Sequence, residues 1–122
     1  MGKRRDERYL RQQECNEVEQ GHVAIPGEDF LQVQAFVDRG GNPWRLDPVE
    51  TAKVVGTTNL GFSAADRFVF FQSYVDFASG LNHALVHAYH GPCRFLIELY
   101  QPVRQGKDGI WAVERVTWLR SG

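Results

Sequence analysis

The chain has 122 residues, 43% of them hydrophobic and 12% aromatic, enough for one domain with a real core and too apolar for a disordered chain. Against 15 Asp and Glu stand 14 Lys and Arg, so no net positive field draws a phosphate backbone and nucleic acid is not an expected partner. No apolar run approaches the roughly 18 residues that a membrane span needs, so no transmembrane segment is expected.

Residues 1–22 read as a polar N-terminal unit ahead of a single α+β domain over 23–122. Residues 3–20 are helix-permissive, but Tyr9, Leu10, Cys15 and Val18 are their only apolar members, so such a helix is weakly anchored and open to fraying. Its basic cluster, Lys3, Arg4, Arg5, Arg8 and Arg11, is interleaved with Asp6, Glu7 and Glu14 and reads as a solvated face. No hydrophobic leader is visible, which makes the cytoplasm the default expectation, with the cell envelope as the alternative where a leader has been removed. Cys15 and Cys93 are too few to define a disulfide framework and lie in no metal-type pair, in keeping with a reduced setting.

Ile25-Pro26-Gly27 breaks the chain, and Phe30, Val33, Phe36 and Val37 then fall at helical spacing, predicting a helix over Glu28 to Arg39 that stops at Gly40-Gly41. Asp47-Pro48-Val49-Glu50 is a helix start: Asp47 can accept from the free amides of the first turn, and Pro48 loses no needed donor there. About three turns follow, ending near Thr57-Thr58-Asn59.

Four apolar-rich runs come next, at Arg67 to Phe77, His83 to Tyr89, Cys93 to Gln101 and Gly109 to Leu119, each bounded by Gly, Pro, Asn or Asp. Connections this short cannot join parallel neighbours, so the runs predict an antiparallel meander. The expected fold is α+β, with N-terminal helices followed by a curved four-stranded antiparallel meander. Alternation places Phe95, Ile97 and Leu99 on a core face, and Arg94, Leu96, Glu98 and Tyr100 on a mixed one. In the last run Trp111, Val113, Arg115, Thr117 and Leu119 share one side, with Ile110, Ala112, Glu114, Val116 and Trp118 on the other. Phe68, Phe70 and Tyr74 form an aromatic stripe opposite Phe71 and Phe77. Apolar residues on both faces call for a second layer or a second copy of the chain.

Chemistry-bearing residues are few. His83, His87 and His90 would share one face of a helix and could hold a zinc-like ion. On a strand, His83 and His87 would lie about 13 Å apart with His90 pointing the other way, and could not. The run Val86 to Pro92 and its β-rich sequel favour the strand. Asp66, His87 and Tyr100 are the candidates for proton transfer, because a carboxylate or imidazole in an apolar pocket takes a pKa suited to that work. Ser63 and Ser73 lack a glycine-framed elbow, and the glycines lack the strand, loop and helix order that aims amides at a phosphate. No cofactor is implied.

Helices followed by a bent antiparallel meander with aromatics on both faces resemble the cystatin-like and nuclear transport factor 2-like group of small α+β domains. Pro43-Trp44-Arg45-Leu46-Asp47-Pro48, Leu99-Tyr100-Gln101-Pro102-Val103 and Gly109-Ile110-Trp111-Ala112-Val113-Glu114 also resemble uncharacterised domains of Gram-positive bacteria. The resemblance implies a hollow between sheet and helices, used as an enzyme pocket or filled as a core, and frequent dimerisation through the sheet. It carries over no catalytic residue. Three functions follow as expectations. The first is a non-catalytic binding or assembly domain, a homodimer joined through a sheet face, with a small apolar ligand as a further partner. The second is a small pocket enzyme of hydrolase, dehydratase or isomerase type. The third is a metal-binding protein through His83, His87 and His90.

Overall fold

The computed structural model describes residues 13–120. Residues 13–16 are helical, and the rest of the expected N-terminal helix, with its basic cluster, lies outside the described residues. Then follow β1 (Gly21–His22), α1 (Phe30–Asp38), a 3-10 turn (Pro43–Leu46), α2 (Pro48–Asn59), β2 (Arg67–Val75), β3 (Asn82–His90), β4 (Cys93–Tyr100) and β5 (Ala112–Trp118). Every pairing is antiparallel, and the sheet order is β1-β5-β4-β3-β2. The α+β class and the meander stand, but the sheet has five strands where four were expected. The addition is β1, whose Gly21 and His22 pair with Val116 and Arg115. Two residues are too short a stretch to show alternation, so β1 has no periodic signal.

Both helices begin as their first residues dictate. Asp29 accepts from the Leu31 and Gln32 amides, and Asp47 accepts from Val49 at 2.8 Å and Glu50 at 3.0 Å. The second helix then presents Ala52 and Val55 to the sheet. Alternation in β3 and β4 sends Val86, Ala88, Phe95, Ile97 and Leu99 into the core, all fully buried. Cys15, Val18, Leu60, Phe62 and Val116 close the cluster, and Trp44, Phe68, Trp111 and Trp118 pack at its margin.

Two bulges correct the expected faces. In β5 the register steps from Glu98↔Arg115 to Leu99↔Val113, leaving Glu114 as an extra residue. An extra residue reverses the alternation, so Val113 and Val116, assigned to opposite sides from sequence, both join the core. In β2 the step from Phe70↔Val86 to Gln72↔Leu85 leaves Phe71 over. The predicted stripe is split: Phe68 and Phe70 lie on the core side, whereas Tyr74 crosses to the outer face beside His83.

The two cysteines form a disulfide, Cys15 to Cys93, with their α-carbons 5.5 Å apart. The reading of these residues as reduced is thereby corrected. The bond ties residues 13–18 to the start of β4, and Val18 of that strap is buried in the core. Gly61 takes φ +90° where a Cβ would strike the Glu17 carbonyl oxygen, so glycine lets the strap lie against the end of α2. Nearby, the Glu19 amide donates to the Leu60 carbonyl at 2.9 Å.

Candidate functional site

Three places on the molecule gather polar or reactive side chains, and the sequence candidates are divided among them. The first lies on the core side at one end of the sheet. Its centre is His90, the last residue of β3, whose ring is buried. Nδ1 meets Asp66 at 2.5 Å, and Nε2 meets Glu17 of the strap at 3.3 Å. Asp66 also accepts from the Ser63 amide at 2.7 Å, which fixes its carboxylate in the turn before β2. Burial on its own would push the imidazole pKa down, but the hydrogen bonds and charges of Asp66 and then Glu17 outweigh it, and the ring ends above its ordinary value. The arrangement fastens the strap, the turn and the sheet together. Phe62 stands edge-on to the ring at 6.0 Å and closes the apolar side.

The second place is the outer face of the sheet. Residues 82–90 form a strand, so His83 and His87 share this face and His90 does not. The metal ligand set read from sequence is therefore not brought together, and among the described residues no group of three His, Cys, Asp or Glu is placed to hold a metal ion. His83 stacks on Tyr74 at 5.2 Å and lies 6.1 Å from Tyr100, while His87 stands edge-on to Phe71 at 4.7 Å. Both imidazoles are engaged by aromatic rings of the same sheet.

Tyr100 also borders the third place, a hollow of about 240 Å³ lined by residues that include Glu28, Phe30, Val113 and Glu114. Its phenol is pushed above its ordinary value by burial and then by the charges of Glu114 and Glu28. It therefore stays protonated and cannot serve as a base at neutral pH. Glu28 is anchored by Arg45 at 3.0 Å.

Asp66, His87 and Tyr100 consequently sit at separate points. Tyr100 pairs across the sheet with His83, which puts His87 four residues, about 13 Å, further along the outer face. Asp66 is bound to His90 on the core side.

Residues that sequence reasoning passed over hold the far end of the sheet. Gln101 is fully buried; its amide nitrogen donates to the Gly106 and Gly109 carbonyls at 2.7 and 3.0 Å, and its oxygen accepts from the Gly106 amide at 2.8 Å. Gln34 of α1 donates to the Asp108 carbonyl at 2.9 Å and accepts from the Ile110 amide at 3.0 Å. Arg45 donates to the Trp111 carbonyl at 3.2 Å. Each satisfies backbone groups of the loop leading to β5, so these are structural staples. The loop itself was legible, since the polar, two-glycine segment from Pro102 to Gly109 suits a hairpin loop of several residues, but nothing local marked Gln34, Arg45 and Gln101 as the side chains that hold it.

What remains unexplained by internal packing is β2. It is an outer strand of the sheet, and Val69, Phe70, Phe71, Tyr74 and Val75 are 41, 48, 55, 40 and 55% exposed. Phe77, just beyond it, is fully exposed. Val69, Phe71 and Tyr74 lie on the outer face, and Phe70 on the core side, so the strand is apolar in both directions.

Comparison of the chain with protein-family models, with curated proteins and with solved structures returns no match. No helix among the described residues is long and apolar enough to cross a membrane.

Proposed function

We propose that this chain is a non-catalytic assembly domain that self-associates as a homodimer through the β2 side of its sheet. The observation that carries the reading is the run of exposed apolar side chains on a long outer strand. Five large apolar residues at 40% exposure or more fall within the nine positions of this one outer strand, on both of its faces, and exposed apolar clusters of this kind mark interaction surfaces. The candidates for proton transfer support no competing enzyme, because they are separated and two of them are already committed, Asp66 to His90 and His87 to Phe71. The Cys15–Cys93 bond fits an oxidising compartment, and so favours the envelope alternative over the cytoplasm.

Light scattering coupled to size exclusion, at micromolar concentration, tests the reading. The native chain is expected at twice the chain mass, and Phe71→Glu, at an exposed position, at the monomer mass with unchanged circular dichroism. A native monomer, or a Phe71→Glu protein that stays dimeric, would refute it.

A further inference from the structure

We propose that the free edge of β2 pairs with the same edge of a second copy, antiparallel about a two-fold axis near Phe71, so that one sheet runs through a closed dimer. This rests on the assembly reading above and adds the partner's orientation, the register and the point at which assembly stops.

The sheet has two outer strands, and they differ sharply. β1 is two residues long, Gly21–His22, and offers too few backbone groups to template another strand. β2 has nine, Arg67–Val75, and among the described residues no strand pairs with the row of amides and carbonyls along its outer side. Its charges are self-complementary. Arg67 opens the strand, Asp76 follows its last residue, and the eight residues between them carry no charge. Antiparallel pairing about the middle sets Arg67 of each copy beside Asp76 of the other, giving two opposite-charge contacts, one at each end. Parallel pairing would set Arg67 beside Arg67 and Asp76 beside Asp76. Opposite charges across a strand pair stabilise it and like charges do the reverse, so orientation is chosen by these four groups.

Both side chains are already positioned. The Arg67 guanidinium lies over the Tyr89 ring at 4.7 Å, and Asp76 accepts from the Ser79 hydroxyl and amide at 2.8 and 2.9 Å. The bulge at Phe71 falls at the strand's centre, where the axis passes between Phe71 and Gln72, so residues 67–71 of one copy face residues 72–76 of the other. Val69 of each copy then meets Tyr74 of the other on the outer face, where Phe71 meets Gln72, while Phe70 meets Ser73 on the core side. An interface that uses one patch on both copies is closed at two. Since β1 is too short to continue the sheet, no filament grows from the dimer.

Sedimentation equilibrium at low ionic strength tests this on the full chain with Arg67→Glu, Asp76→Arg and the double variant. Each single reversal brings like charges together at both ends and is expected to raise the dimer dissociation constant about tenfold. The double variant restores opposite charges and is expected to return to within about threefold of native. Asp76→Asn keeps the acceptor that caps the turn while removing the charge, and is expected to weaken the dimer less than Asp76→Arg. A native chain that is monomeric overturns the assembly reading itself. A native dimer with unaltered single variants, or a double variant as weak as the singles, leaves that reading in place and overturns the pairing.

Discussion

At His90, burial and two carboxylates act in opposite directions, and the carboxylates prevail. The imidazole's folded-state pKa lies above its ordinary value of 6.5, so folding favours the protonated ring. Stability from this group is fully present below pH 6.5 and is lost as pH rises through the higher folded-state value. Comparing urea midpoints of the native chain and His90→Gln across pH 5.5 to 9 should show the native chain's advantage shrinking as pH rises. A gap that stays constant over that range would contradict the role given to Asp66 and Glu17. Asp66 and His90 were each singled out from sequence, but for proton transfer and for metal, respectively. Their actual partnership joins positions 24 residues apart, and Glu17 is 73 residues from His90. Side-chain pairing at such separations leaves no mark in local spacing.

Among the elements, the strap at residues 13–18 depends most on a single bond. The Cys15–Cys93 bridge spans 78 residues, and a cross-link of that reach removes chain entropy from the unfolded state worth about 4 kcal/mol. Replacing both cysteines by serine should lower the unfolding free energy by about 3 kcal/mol in urea titrations, whereas an unchanged value would show that the strap is held by packing alone. The helices and four long strands were legible from sequence because their signals are local: Asp47-Pro48 sets one helix start, and strict alternation from Phe95 to Leu99 sets one strand's faces. The bulges at Phe71 and Glu114 were not, since an extra residue is defined only against the strand opposite. For the same reason β1, two residues recruited by β5, carried no signal, and Gln101 read as an ordinary polar strand end although it organises the loop through four backbone and side-chain partners. The apolar β2 was visible as a stripe, and as the first run of a meander it had to be an outer strand, but the division of that stripe between two faces was not visible.

For the whole molecule, the proposed dimer makes β2 an interior strand in solution and an outer strand only in the isolated chain. Among the described residues no strand pairs with this edge, and an edge with Val69, Phe70, Phe71, Tyr74 and Val75 exposed is a template for pairing that monomeric proteins usually blunt with charge or proline. Here the charges sit only at the ends, at Arg67 and Asp76, where in the proposed dimer they would direct pairing instead of preventing it. Hydrogen exchange of the β2 amides as a function of protein concentration reads this most directly. Outward-facing amides between Arg67 and Val75 should become protected as concentration rises through the dimer dissociation constant, with β3 and β4 amides unchanged. Equal exchange of the β2 amides at every concentration would mean that the edge stays open to water, and would contradict the account.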